Sequence, residues 1–297
     1  MAMSEELLAP VGRGIELCYQ TFGDPGDEPL LLVMGLGGPM TWWSPELCAA
    51  LARAGFYVVR YDNRDTGRST RGEGRVTRAH LVRAFTGLPV RPPYGLVDLA
   101  EDATGLLDHL GLESAHVVGV SMGGMIAQTL TISWPDRVRT LTSVMSTTGR
   151  RTVGWQHPAL LPRLIGPRKP GREAYVEGSI AFSRLTGSPA YPESDEQLRS
   201  RAEETFDRGI NPAGVLRQML AVLTQADRSH RLRGVRRPTL VVHGLADRMV
   251  HVSGGRATAA AVPGAELLLI DGMGHDLPPE LYDTFVAAIR RTADRTL

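Results

Sequence analysis

Ser121, Asp247 and His275 are the residues of this chain whose types and order could cleave a carbonyl–heteroatom bond. Ser121 stands at the centre of Gly119-Val-Ser-Met-Gly123, directly after the apolar run His116-Val-Val-Gly-Val120 and directly before the helix-like stretch Met122 to Leu130. A strand, a tight turn and a helix in that order leave a serine hydroxyl exposed above the strand end. The turn tolerates only small neighbours, because a Cβ at Gly119 or Gly123 would strike backbone. In a chain with 33 glycines the five-residue pattern decides nothing alone. Its context must supply a base, an acid and donors for a developing oxyanion, in the chain order Ser, Asp/Glu, His.

A serine becomes nucleophilic when a base takes its proton in the transition state, and the base needs a third group to orient it. His275, in Asp271-Gly-Met-Gly-His275, lies just past the last strand-like run, where glycines let a loop swing an imidazole over the sheet edge. His109 and His116 flank the elbow strand and read as structural, while His157 and His230 fall in or near a helical stretch. His243 ends a strand and His251 follows the acid loop, so both stay open as alternative bases. The acid is expected at Asp247, in the loop His243-Gly-Leu-Ala-Asp247, where it can accept the Nδ1 hydrogen of the imidazole. Asp271 and Asp276 would need a sharp reversal to reach the far nitrogen of His275, and Thr142 to Thr148 carries no carboxylate.

Negative charge developing on a carbonyl oxygen calls for pre-aimed main-chain N–H groups. Met122, following Ser121, is one expected donor. Leu36, in the glycine-rich turn Met34-Gly-Leu-Gly-Gly38, is the other. Met40, Trp42 and Trp43 follow that turn and read equally well as an apolar substrate pocket or as ordinary core. Phe182, with Trp155 and Phe85, could add to such a pocket from elsewhere.

The elements that must position these residues alternate along the chain. Ile15 to Thr21 alternates as an early edge strand would. Leu30–Met34, Tyr57–Tyr61, His116–Val120, Leu141–Met145, Thr239–His243 and Ala265–Ile270 are apolar runs expected of strands buried on both faces. Helical patterns lie between them, over Pro45 to Ala54, Leu96 to Leu110, Met122 to Ser133, Ser253 to Ala261 and Pro279 to Thr292, each ending near glycine or proline. Such alternation predicts βαβ units and a mostly parallel sheet. Two stretches break it: Arg71 to Pro93, basic and proline-closed around a short helix, and Gly149 to Arg233, helical and proline-rich without a strand-like run. Connections this long usually form lids or carry structure of their own.

A chain of 297 residues with 42% hydrophobic content can bury one large core. Its net charge of +1 offers no general attraction to nucleic acid or anionic membrane. Two cysteines, Cys18 and Cys48, do not make a disulfide framework. The N-terminus has no signal-like pattern and no run approaches a membrane span, so the expectation is a cytoplasmic protein with no nucleic-acid or membrane partner. Neither the Asp/His set nor the cysteines have metal-site spacing, and no phosphate-cradling glycine pattern opens the first helix. No metal and no cofactor are expected.

Asp62-Asn-Arg-Asp-Thr-Gly-Arg-Ser69 resembles the D-x-R-x-x-G-x-S loop of the α/β-hydrolase fold family. Trp134-Pro-Asp-Arg-Val138 resembles its helix-to-strand link, and Gly244 to Asp247 its acid loop. The likeness runs over essentially the whole chain. Val33-Met-Gly-Leu-Gly37 and the run from Arg60 to Gly67 are most similar to the aclacinomycin methylesterase-like carboxylesterases. Met34 departs from the pattern, standing where many members carry histidine. The resemblance implies an α/β fold: a doubly wound, mostly parallel sheet with a helical cap inserted after the sixth strand, residues 149–233 forming the cap between core segments 1–148 and 234–297. It implies a serine esterase acting on a small-molecule ester through an acyl-enzyme, with methyl or short-chain esters of bulky acids as candidate substrates. Lactone, thioester, carbon–carbon or perhydrolytic chemistry on the same residues is a second reading, and a ligand receptor on the same fold a third. The Asp62 to Ser69 loop reads as pinned by its own side chains rather than as an acid–base or metal site.

Overall fold

The apolar runs assemble into one sheet of eight strands in the order β1-β2-β4-β3-β5-β6-β7-β8. The strands are β1 (Leu7–Pro10), β2 (Glu16–Phe22), β3 (Glu28–Val33), β4 (Phe56–Tyr61), β5 (Ala115–Val120), β6 (Val138–Val144), β7 (Thr239–Gly244) and β8 (Glu266–Ile270). Pairing is antiparallel for β1 with β2 and β2 with β4, and parallel from β4 to β8. The computed structural model describes residues 3–160, 162 and 170–296. Among them, no helix is long and apolar enough to cross a membrane.

Side chains alternate across a strand, so each central strand feeds two cores. Leu31, Val33, Val117 and Leu141 pack with Leu99 and Leu106 of α3 (Leu96–His109) and with Ile126 and Leu130 of α4 (Met122–Ser133). Leu30, Leu32, Val118 and Val242 pack on the other face with Leu47 and Leu51 of α1 (Pro45–Arg53) and with Phe285 and Ile289 of the C-terminal helix (Tyr282–Ala293). This is a doubly wound sheet. Because β3 lies between β4 and β5, the winding reverses beside β3, and the crevice at the C-terminal ends of β3 and β5 is where such sheets bind ligands.

Two strand expectations need correction. Ile15 to Thr21 is not at the edge, since β1 pairs outside it; β1 escapes the sequence pattern because only Ala9 of its four residues is buried. The run ending at Ile270 is not buried on both faces but forms the opposite edge, with Leu267 37% exposed. At the C-terminus, Pro279–Leu281 is a 3-10 turn before the helix, which starts at Tyr282.

The basic stretch after β4 carries α2 (Arg78–Phe85). Between β6 and β7 the described residues form helices and no strand: α5 (Arg172–Thr186), α6 (Asp195–Gly209), α7 (Pro212–Leu223) and the short α8 (Ser229–Leu232). Residues 161 and 163–169 of this stretch lie outside the described residues. α7 packs through Leu220 on Ala84 of α2 and on Val76 just before that helix. Its N-cap is Asn211, whose Oδ1 accepts the Gly214 N–H at 3.0 Å.

The inserted helices are tied to the core through the loop from Asp62 to Ser69. Asp62 accepts the N–H of Arg68 at 2.9 Å, as a self-pinned loop would, but also that of Met40 at 2.7 Å and a 2.6 Å bond from Arg208 of α6. Asp65 receives a bidentate bond from Arg217 of α7, at 2.8 and 2.6 Å, and the Tyr94 hydroxyl at 2.6 Å. Both carboxylates are buried. A buried ion pair contributes little net stability against an apolar substitute, yet losing one partner costs about 3–5 kcal/mol because the other charge is stranded. The loop is therefore a fastening for the inserted helices as well as a self-supporting turn.

Candidate active site

Ser121 joins β5 to α4 with φ 56° and ψ −118°, a region that residues with a side chain seldom enter. Close packing enforces it. A Cβ on Gly119 would lie 2.1 Å from the Gly123 carbonyl oxygen, and one on Gly123 would lie 2.0 Å from that of Val33. The Ser121 N–H donates to Val144 O at 2.9 Å, and the Ser146 hydroxyl donates to Ser121 O at 2.8 Å. The strained turn is thus held from β6 on one side and wedged against β3 on the other.

Three strand ends bring the expected residues together. His275 Nε2 lies 3.0 Å from Ser121 Oγ, and His275 Nδ1 lies 2.8 Å from Asp247 Oδ2. The other oxygen, Asp247 Oδ1, accepts the N–H groups of Met249 at 2.8 Å and Val250 at 2.9 Å. Burial alone would push this carboxyl up; the charge of His275 and a bond from His243 outweigh it and hold the acid below the usual carboxylate range. The acid loop and histidine loop are zipped by Leu245 N–H to Ile270 O at 2.9 Å and Ala246 N–H to Met273 O at 3.0 Å.

The alternative bases are placed elsewhere. His243 is fully buried behind Asp247, with Nε2 2.8 Å from Val250 O and 3.4 Å from Asp247 Oδ2. His251 bonds Ser253 Oγ at 2.9 Å and stacks on Trp155 with ring centroids 4.1 Å apart. His116 bonds Thr140 and is held neutral by burial, its pKa lowered to about 4.

The turn after β3 runs against the serine: a Cβ on Gly35 would be 3.2 Å from Ser121 Cβ. Among the described residues, the N–H groups of Leu36 and Met122 have no hydrogen-bond acceptor within the protein. Asn63 Nδ2 holds the start of the turn by donating to Met34 O at 2.9 Å.

Of the residues expected to line a pocket or to be ordinary core, Met40 is 0% and Trp43 2% exposed; Trp43 sits in the sheet core with Leu47, Leu51 and Phe285. Trp42 remains 41% exposed, its Nε1–H donating to Thr205 Oγ1 of α6 at 3.0 Å. Phe182 is half-buried on the last turn of α5, which ends at Thr186. That end reaches the site itself: Thr186 O accepts the His275 N–H at 2.7 Å, and Ser188 Oγ accepts the Gly274 N–H at 2.8 Å while bonding Asp276. On the other side, α7 lays Val215 over Gly37 and Gln218 against its N–H. Thr186, Ser188, Val215 and Gln218 carried no signal in the sequence, because nothing in their spacing says what they meet across the fold.

The profile described as the alpha/beta hydrolase fold matches residues 28–280. The chain belongs to the α/β-hydrolase fold family. It is 30% identical to rhodomycin D methylesterase of Streptomyces peucetius, covering 93% of this chain and 94% of that one. A Caulobacter sp. (strain K31) protein named as a candidate carbamate hydrolase is 31% identical, with 92% and 94% coverage. The α/β-hydrolase chain also superimposes on an enol-lactonase from Burkholderia xenovorans LB400 with a TM-score of 0.75, covering 97% of this chain and 100% of that one at 23% identity. That last likeness speaks to the fold alone.

Proposed function

We propose that this α/β-hydrolase is a serine esterase that cleaves carboxylic esters through an acyl-enzyme. The observation that carries the reading is the continuous hydrogen-bonded chain from Asp247 through His275 to Ser121. Ser121 Oγ attacks the ester carbonyl as His275 Nε2 takes its proton, and Asp247 stabilises the imidazolium. The oxyanion receives the free N–H groups of Leu36 and Met122, each such donor contributing about 3–4 kcal/mol to the transition state. The proton on His275 passes to the departing alkoxide, the alcohol leaves, and a water deprotonated by His275 releases the acid and restores Ser121.

Residues 149–233 act in this reading as a cap, with Trp42, Val215 and Phe182 facing the substrate. The methylesterase relative supports short-alcohol esters of a bulky acid as the substrate class. The carbamate hydrolase name of another relative favours one second reading, in which the same groups attack a carbamate carbonyl. Burst hydrolysis of a p-nitrophenyl ester tests the mechanism. We expect turnover that Ser121→Ala abolishes with the fold intact, and covalent labelling of Ser121 by a fluorophosphonate. Undiminished turnover by the Ser121→Ala variant would reject the reading. A matched panel of methyl esters and carbamates separates the two substrate classes.

A further inference from the structure

Gln218 is fully buried, and all its polar capacity is directed at two loops of the core. Its Oε1 accepts the Gly37 N–H at 2.8 Å, while its Nε2 donates to Arg64 O at 2.8 Å and to Thr66 Oγ1 at 2.9 Å. Leu36, one of the two N–H donors assigned to the oxyanion, immediately precedes Gly37. The turn has little rigidity of its own. Gly35, Gly37 and Gly38 surround Leu36, Gly37 takes φ +68°, and the internal Gly38 N–H to Gly35 O bond is long at 3.3 Å. Asn63 holds one end of the turn, and Gln218 is the side chain that holds the other.

The reach of Gln218 is itself fixed. One residue earlier on α7, Arg217 locks the helix to Asp65, and Asn211 at the N-cap donates to Asp65 O at 3.2 Å. Val215, one turn back, closes over Gly37: a Cβ there would lie 3.0 Å from Val215 Cγ2. The Gln218 bond fixes the Leu36–Gly37 peptide and with it the position of the Leu36 Cα, from which the Leu36 N–H is aimed.

We infer that Gln218 is a positioning residue for the oxyanion turn, a helix inserted between β6 and β7 setting the direction of the Leu36 N–H through the Gly37 amide. The inference rests on the reading of Ser121 as nucleophile and deepens it. Gln218 touches no reacting atom. It withholds from the turn the freedom to point its donor elsewhere, so its loss weakens transition-state binding and leaves ground-state binding in place.

The test is Gln218→Leu, with Gln218→Met as a second, longer replacement should the first not fold. Sites are counted by fluorophosphonate titration and kcat is expressed per titrated site on a p-nitrophenyl ester. We expect kcat to fall roughly 10- to 100-fold with KM within about twofold, less than removal of an oxyanion donor outright, which costs roughly 10²- to 10³-fold. Affinity for a trifluoromethyl ketone, which forms a tetrahedral oxyanion on the serine, should fall in parallel with kcat. A non-reactive competitive ketone should bind as before. Wild-type kcat per site in a folded variant, or a loss confined to KM, would overturn the inference while leaving the esterase reading intact. Wild-type protein that is neither labelled nor active would overturn both.

Discussion

The serine elbow and the two loops that face it are held by different means. Ser121 is fixed by hydrogen bonds and glycine contacts from the neighbouring strands β3, β5 and β6, the residues just after β6, and the helix α4 that packs on them. The turn at Leu36 and the loop at His275 are held in addition from outside the sheet, by Gln218 of α7 and by Thr186 and Ser188 at the end of α5. Ser121 belongs to the sheet; the loops that face it are trimmed by the helices inserted between β6 and β7. The geometry of the proposed site therefore depends on how those helices are fastened, and the Asp62 to Ser69 loop is the fastening.

The comparison can be broken most forcefully at the base. His275→Ala removes the proton acceptor and leaves the sheet untouched, so kcat should fall roughly 10⁴- to 10⁶-fold with an unchanged circular dichroism spectrum and unfolding midpoint. Activity near wild type would show that the hydrogen-bonded chain is not the working one.

The fastening is the next target. Arg217→Gln strands the buried Asp65 carboxylate, and guanidinium unfolding should show a loss of about 3–5 kcal/mol. Burial tends to raise the Asp65 carboxyl, but the bonds from Arg217 and Tyr94 outweigh it and lower the folded-state value below the ordinary 3.8. Stability from this group is therefore full above the unfolded carboxylate range and is lost as pH falls through the lowered folded value. In Arg217→Gln the largest of the lowering interactions is gone while those of Tyr94 and Gly72 remain, so acid unfolding should begin at higher pH than in wild type. Coincident acid-unfolding curves would mean that the pair does not fasten the helices.

The smallest of these effects should come from Ser188→Ala. It frees the Gly274 N–H and one side of Asp276 without touching His275, and kcat should fall by less than about tenfold. Burial holds the Asp276 carboxyl above its usual value, against the bonds from Ser188. Ser188→Ala removes the hydroxyl bond and keeps the main-chain N–H bond at 3.2 Å, so the value should rise further. The apparent pKa of Asp276, followed by carboxyl NMR, checks this independently of turnover, and an unmoved pKa would place Ser188 outside the loop's support.

Much of the fold was legible because its signals are local. Unbroken apolar runs mark the central strands, and Met122 to Ser133 begins and ends as a helix where its pattern says. β1 was not legible, since one buried residue in four makes no pattern, and β8 read as central because an edge strand with three leucines resembles a buried one. Ser121, Asp247 and His275 could be picked out because each sits in a loop directly after a strand with glycines around it. Met40 and Trp43 could not be sorted from a pocket, because an apolar side chain has the same chemistry facing a ligand as facing Leu47.

By itself the chain's order of residues determined where the strands, the elbow and the three polar groups would be, since those depend on hydrophobic period and on glycine within a few positions. Only the tertiary structure decided what holds the groups at working distance. The contact from Gln218 to Gly37 spans 181 residues and that from Ser188 to Gly274 spans 86. Such contacts depend on how one helix lies across another element, a relation that no local pattern of side chains encodes.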